Sequence, residues 1–157
     1  DVIVAFLKLD PNVLLFGVGE DPGPWIIADG LVPLVDSGSI GPNPPTVAAD
    51  VITINSPGFY DITAAFGIDI SSGGNTVIVD TFINGSSAFG ITAGVEFSGG
   101  QSAPVIQPQT RVYRHLDAGD TVTFVATELG TDDKLLYWNL SGGTVVQTAY
   151  DFEAFDL

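Results

Sequence analysis

Short apolar runs separated by turn-forming residues fill the whole chain, and this pattern predicts strands throughout. The runs are rich in Val, Ile, Thr and aromatic residues, and clusters of Gly, Pro, Asn, Asp and Ser separate them, as is typical of strands joined by tight connections. No stretch shows the period of an amphipathic helix. The predicted strands are Val2–Lys8, Val13–Phe16, Trp25–Ala28, Val47–Ile54, Phe59–Ile70, Thr76–Ile83, Phe89–Phe97, Thr110–Leu116, Thr121–Thr127, Leu135–Leu140 and Val145–Phe155.

The connections indicate where hairpins form and how the chain is organised. Asn84-Gly85 lies between two apolar runs, and a type I′ hairpin turn needs positive φ at both of its central residues. Residues 1–46 are looser in pattern and contain many prolines, whereas residues 47–157 alternate more regularly. Because residues 1–46 still contain apolar runs, we expect one all-β domain over residues 1–157, a β-sandwich or jelly roll of about ten strands.

The segment 109–126 predicts a strand, a tight turn and a second strand, and it concentrates basic side chains in an acidic protein. It holds Arg111 and Arg114, two of the four Lys and Arg residues, and His115, the single histidine. Alternation places Arg111, Tyr113 and His115 on one strand face and Arg114 on the face expected to be buried. Either a bulge shifts the register, or Arg114 pairs with a carboxylate at a subunit contact, or the strand is simply solvated.

Composition narrows the class of partner. The chain has 19 Asp and Glu residues against 4 Lys and Arg, a formal net charge of −15, which repels phosphate backbones and anionic lipid. We therefore expect neither nucleic acid nor a membrane as a partner. The hydrophobic fraction of 45% and the mean hydropathy of +0.37 are high for a chain without a membrane-length apolar run. This apolar excess predicts burial in both a core and an interface.

The reactive residue types argue against catalysis and bound cofactors. A hydrolytic triad needs a base beside its nucleophile, and His115 is the only imidazole, with no Gly-x-Ser-x-Gly motif in the chain. One His and no Cys exclude the usual zinc ligand sets. The nearest carboxylate clusters, Asp132-Asp133 with Glu128 and Asp117 with Asp120, lack the spacing of a calcium loop. We predict a protein that is not an enzyme and holds no cofactor or metal, with a calcium ion as the alternative use of these acids.

Three segments resemble one known family. Pro57-Gly58-Phe59-Tyr60-Asp61-Ile62-Thr63-Ala64-Ala65-Phe66 resembles the Gly-x-Tyr-x-Phe strand of the jelly roll shared by tumour necrosis factor and the globular head of complement-one-q, with Ile62 where that family usually has Phe. Leu116-Asp117-Ala118-Gly119-Asp120-Thr121-Val122 is similar to its Leu-x-x-Gly-Asp-x-Val turn, and Tyr150–Leu157 to its closing aromatic strand. The bacterial and phage members look most similar. The resemblance implies a homotrimer whose axis is lined by apolar and aromatic side chains.

The resemblance also implies which residues meet other subunits, because it places the strand Thr110–Leu116 in the sheet nearest the trimer axis. Arginine pairs bidentately with carboxylates and suits such contacts. The expected interface residues are Tyr60, Arg111, Tyr113, Arg114, His115 and Phe155.

These expectations combine into a function. The leading hypothesis is a non-enzymatic structural protein of a virion surface, a trimeric decoration or cement protein of a phage capsid or part of a fibre, with the major capsid protein or another virion protein as partner. One alternative is an extracellular adhesion or spore-surface domain of a bacterium, located at the cell surface. Another is a carbohydrate-binding tip protein, in which Trp25, Tyr137 and Trp138 stack on sugar rings.

Overall fold

The protein is described by a computed structural model over residues 3–9, 25–26, 30–32, 34–70, 75–88, 90, 93–97, 109–129 and 134–148. Among these residues no helix is long and apolar enough to cross a membrane. The described strands are β1 (Ile3–Leu9), β2 (Trp25–Ile26), β3 (Gly30–Leu31), β4 (Leu34–Asp36), β5 (Thr46–Ala48), β6 (Val51–Thr53), β7 (Gly58–Ile70), β8 (Asn75–Ile83), β9 (Ser86–Ser87), β10 (Ala93–Phe97), β11 (Gln109–Leu116), β12 (Thr121–Leu129) and β13 (Lys134–Thr148).

The strands form two antiparallel sheets, and the order within each sheet departs strongly from chain order. The first sheet runs β11-β7-β13-β1-β4, with β2 beside β13. The second runs β10-β8-β12-β6-β5, with β3 beside β12 and β9 beside β8. The chain therefore crosses repeatedly between the sheets, at β6–β7–β8 and at β10–β11–β12–β13, as in a jelly roll. The predicted all-β sandwich is confirmed.

The core lies between the two sheets and follows the two-residue alternation of the strands. On β7, Tyr60, Ile62, Ala64 and Phe66 are buried, while the residues between them are half-buried. Phe66 meets Phe124 of the opposite sheet edge-to-face, with ring centroids 5.7 Å apart. Full burial of a large apolar side chain contributes about 1.5–3 kcal/mol, so this layer is the main source of stability.

Two turns predicted from sequence are confirmed. Asn84 and Gly85 have φ of 51° and 80°, and Ile83 pairs with Ser86 across them, as a type I′ hairpin requires. Gly119 has φ of 95° between β11 and β12, a conformation that glycine adopts without steric cost.

The strand predicted over Val47–Ile54 is wrong in detail, because the chain reverses inside it. β5 and β6 pair with each other, and the turn between them places Ala49 and Asp50 at φ of 52° and 66°. The Oδ1 atom of Asp50 accepts a hydrogen bond from the Leu34 backbone N at 3.1 Å. A contact from a distant strand thus supports a turn that no glycine marks in the sequence.

The break predicted between Leu135–Leu140 and Val145–Phe155 is also wrong. β13 runs through the Gly pair without ending, and the irregularity takes the form of a register shift against β7 between Tyr137 and Gly142. A Cβ atom on Gly143 would lie 2.9 Å from Cα and Cβ of Ala64, so the glycine allows close approach of two strands rather than a turn. The remainder of Val145–Phe155, the strand Val13–Phe16 and parts of the strands at Trp25–Ala28 and Phe89–Phe97 lie outside the described residues.

Candidate interaction surface

The side of the first sheet that faces away from the core carries the candidate site, and we call it the front face. Its members alternate with the core residues of β7, β11, β13 and β1, and directly opposed residues of neighbouring strands lie side by side. The pairing register aligns them in rows across the strands. The front-face residues are Phe6, Phe59, Asp61, Thr63, Arg111, Tyr113, His115, Thr144, Val146 and Thr148.

An aromatic cluster occupies one end of the front face. Phe59 of β7 stacks on Tyr113 of β11, with centroids 5.9 Å apart and planes 11° from parallel. The His115 ring meets Phe59 edge-on at 5.0 Å, because these two residues are direct cross-strand partners. Phe59 and Tyr113 are only half-buried within the chain and His115 is exposed, so the cluster offers ring edges and faces to a partner.

An ion pair lies beside the aromatic cluster. Arg111 donates from Nε to Asp61 Oδ1 at 3.2 Å and from Nη2 to Asp61 Oδ2 at 2.8 Å. The hydrogen bonds and the charge of Asp61 raise the pKa of Arg111 above its ordinary value. This bidentate geometry fixes the guanidinium plane against β7. Arg111 therefore meets a carboxylate of its own chain, which the sequence analysis had left open.

Arg114 lies in a regular part of the strand and is not accounted for by a bulge. The pairing of β11 with β7 is continuous from Gln109 to Leu116, so no bulge shifts the register, and that explanation is wrong. Arg114 is exposed although Val112 and Leu116 on the same strand side are buried. Within the described residues Arg114 forms no ion pair inside 4.0 Å, and its charge acts on Asp120 at longer range.

Tyr60 is a correction to the predicted interface, because it faces the opposite way. Its side chain is fully buried inside the single chain, and its hydroxyl donates to the Ser56 carbonyl at 2.6 Å. Burial raises the pKa of Tyr60 above its ordinary value. The two-residue alternation explains this position, since Phe59 and Asp61 take the front face instead. Phe155, the predicted contact from the closing strand, lies outside the described residues.

The turn after β11 extends the front face with charged groups. His115 Nδ1 lies 3.8 Å from Asp117 Oδ1, and both side chains are largely exposed. Asp120 Oδ2 accepts a hydrogen bond from the Asp117 backbone N at 2.8 Å. This backbone bond, more than any other contact, holds the pKa of Asp120 below its ordinary value. In the described part of the chain, no three acidic, His or Cys side chains are grouped as a metal would need.

A shallow depression of about 280 Å³ lies next to the ion pair, where Gly142 and Gly143 lack side chains. Its polar lining comes from Gln109 and from Thr63 and Thr144, whose Oγ1 atoms are hydrogen-bonded to each other at 3.0 Å. The lining carries no charge. Hydroxyl and amide groups around a small-residue floor can bind a neutral polar ligand or a side chain of another protein.

Several front-face residues were missed by the sequence analysis. Phe59 and Asp61 alternate with Tyr60 and could have been assigned from the period of the strand alone. Phe6 could not, because its place beside Thr144 depends on pairing between β1 and β13. Phe6 remains 38% exposed, which puts a large apolar side chain in solvent at the far end of the same face.

The two antiparallel sheets and their crossed strand order define the class: a jelly-roll β-sandwich of the tumour necrosis factor type. The structure of murine APRIL determined at pH 8.0 is similar to this chain with a TM-score of 0.62 and 13% identity, covering 94% of this chain and 100% of that one. Eiger TNF from S. frugiperda is similar with a TM-score of 0.64 and 16% identity, covering 96% of this chain and 94% of that one. No protein-family model and no curated protein sequence matches. The resemblance inferred from the sequence motifs is confirmed at the level of the fold.

Proposed function

We propose that this protein is a non-enzymatic structural protein that forms a homotrimer through its front face and decorates or cements the surface of a virion, as a capsid decoration or a fibre component of a phage. The observation that carries the proposal is the partly exposed aromatic cluster of Phe59, Tyr113 and His115 on a regular sheet face. Aromatic side chains and Arg are enriched at protein interfaces. The tumour-necrosis-factor-like fold supports the trimer, which the sequence resemblance implied.

The charge distribution supports a second copy of this chain as the partner. Arg114 lies on the other side of β11 from the front-face residues, but β11 is the edge strand of the first sheet. Arg114 is exposed without an ion pair inside 4.0 Å among the described residues, and a second copy of a chain with 19 carboxylates can supply its partner at this edge. The same acidity keeps assembled particles apart from nucleic acid and from one another. A surface protein that must remain dispersed while binding its own copies fits both properties.

The mass in solution is the first test. Multi-angle light scattering should give a particle of three 16.3-kDa chains, and Phe59→Ala combined with Tyr113→Ala should reduce it to one chain. Arg114→Ala should weaken the trimer less. Leu31→Ala is the matched control, since Leu31 is 41% exposed but pairs within the second sheet. A monomeric wild-type protein at micromolar concentration contradicts the proposal, as does equal loss of mass in the control.

The site of action needs its own test. The purified protein should co-sediment with capsids that lack it and should protect them against heat or chelators. Binding to bacterial cells or spores instead of capsids would replace the virion by the alternative bacterial surface location, with the trimer unchanged.

Carbohydrate binding is the second candidate, and the depression beside Gly142 and Gly143 favours it. Its Thr63, Thr144 and Gln109 groups match the hydroxyl-rich surface of a neutral sugar in hydrogen-bonding capacity. A glycan array should then give hits that Gln109→Ala reduces, whereas an array without hits removes this candidate.

A further inference from the structure

Asn84 connects two hairpins by three hydrogen bonds, and we call this arrangement the Asn84 bracket. The backbone N of Asn84 donates to the Thr121 carbonyl at 3.0 Å. In the side chain, Oδ1 accepts from the Thr121 backbone N at 2.9 Å, and Nδ2 donates to Asp120 Oδ1 at 3.0 Å. Both ends of the amide are therefore held, and the β8–β9 turn is tied to the turn between β11 and β12.

Asp120 is itself fixed by the same turn. Its other oxygen accepts from the Asp117 backbone N, and the Asp120 backbone bonds to Ile54 on a third connection. The bracket thus rests on an oriented carboxylate rather than on a freely rotating side chain. Hydrogen bonds to a charged group are stronger than those between neutral groups.

The sequence at the bracket is chemically labile. In an Asn-Gly pair the glycine has no side chain to shield its backbone N, and Asn is among the thermolabile residues of proteins. We propose that Asn84 is a site of spontaneous deamidation in this protein, and that the bracket controls how fast the reaction proceeds. The inference is independent of the proposed function.

The reaction needs no reagent beyond water. The backbone N of Gly85 attacks Asn84 Cγ and forms a new C–N bond, the bond from Cγ to Nδ2 breaks, and Nδ2 leaves as ammonia with the proton from Gly85. Water then opens the resulting five-membered imide at either carbonyl and gives aspartate or isoaspartate. No atom is oxidised or reduced.

The bracket opposes this reaction at its first step. Asn84 Oδ1 and Nδ2 must both leave their partners before Cγ can turn toward the Gly85 nitrogen and before ammonia can depart. The need to break these two side-chain bonds first slows the reaction about tenfold or more in the folded chain. The aspartate product would place a carboxylate against Asp120, so the bracket would become a repulsive contact between the two hairpins.

Peptide mapping by mass spectrometry tests the control of rate. The full chain is incubated in mildly alkaline buffer, folded or in denaturant, and conversion is followed through the peptide that contains Asn84. We expect faster conversion in denaturant than in the folded chain, and about three- to tenfold faster conversion in folded Asp120→Ala than in folded wild type. Asp117→Ala is the matched control, because its carboxylate belongs to the same turn and does not bond to Asn84. Equal rates in folded and denatured chains, or in Asp120→Ala and wild type, would overturn the proposal.

The product is tested separately through stability. Asn84→Asp should lower the melting temperature by about 2–4 °C, and this loss should disappear when Asp120→Ala is already present, because the facing charge is then absent. An equal loss in both backgrounds would show that Asp120 does not face the new carboxylate, and the repulsive-contact inference would be wrong.

Discussion

The two faces of the β7–β11 ladder are built from the same strands and differ almost completely in chemistry. The inward face carries Tyr60, Ile62 and Phe66 in a closed core, whereas the front face carries an aromatic cluster and the Arg111–Asp61 ion pair in contact with solvent. The same two strands therefore carry two sets of residues with different roles. Inward residues specify the fold, and front-face residues are free to vary with the partner, so substitutions on the two faces should have different consequences.

The largest difference in stability loss is expected between substitutions of two phenylalanines on the same strand. Phe66→Ala should destabilise the protein by about 3–5 kcal/mol, because Phe66 is 1% exposed and packs on Phe124. Phe59→Ala should cost far less stability, since Phe59 is only half-buried on the front face. Urea denaturation at one fixed protein concentration measures both. Similar losses for the two variants would contradict the division between core and front face.

Tyr60 is the next test, because the sequence assigned it to the interface and the structure places it inward. Tyr60→Phe should cost about 0.5–1.5 kcal/mol through the lost bond to Ser56 and leave the oligomeric mass unchanged. The raised pKa of Tyr60 means that its neutral form is favoured in the folded state. Its contribution is complete below the unfolded pKa of about 10 and declines as pH rises through the higher folded pKa. Alkaline unfolding curves of the variant should lack this decline.

Substitution of Thr110 should stabilise the protein, in contrast to the variants above. Its side chain is fully buried, and its hydroxyl has no hydrogen-bond partner within the described residues. Thr110→Val keeps the shape and removes an unsatisfied polar group, so unfolding free energy should rise by about 1 kcal/mol. Thermal denaturation compares it with Thr123→Val, a half-buried position on β12. A lower melting temperature for Thr110→Val would reveal a partner for this hydroxyl.

The smallest effect on stability is expected on the front face. Arg111→Ala removes an exposed ion pair, and exposed pairs contribute little and are screened by salt. The loss of unfolding free energy, measured by urea denaturation, should be detectable at low ionic strength and vanish at high salt. Arg111→Lys cannot make the bidentate contact, so it should show the same loss as Arg111→Ala. A large loss of unfolding free energy that does not depend on salt would show that Arg111 contributes to stability as a core residue does.

Alternation and turn chemistry were sufficient to predict most of the ladder. The buried positions Val112, Leu116 and Phe124 follow a two-residue period, and the Asn84-Gly85 turn has a local cause in its own residues. Local patterns failed where distant strands decide the outcome. The reversal at Ala49-Asp50 is supported by a contact to Leu34, and the Gly pair in β13 serves close strand approach instead of a turn.

The candidate site was predicted only in part. The strand that holds Arg111, Tyr113 and His115 was predicted with nearly its observed bounds, and alternation placed these three residues together on one side of it. The contacts of these residues were not predictable, because Phe59 and Asp61 meet them through the pairing of β7 with β11, two strands that are far apart in the chain. Phe6 joins the same face only through the pairing of β1 with β13. A single sequence does not contain that register.

The long strand β13 has a consequence for how the protein is made. It pairs with β7 on one side and β1 on the other, so that Ile3 faces Gln147. During synthesis, the earliest and latest segments of the described chain must meet before the first sheet can close. Folds dominated by such distant pairings form slowly, and until β13 emerges, the exposed edges of β1 and β7 are open to other chains. We expect productive folding to depend on chaperone protection of these edges until β13 emerges.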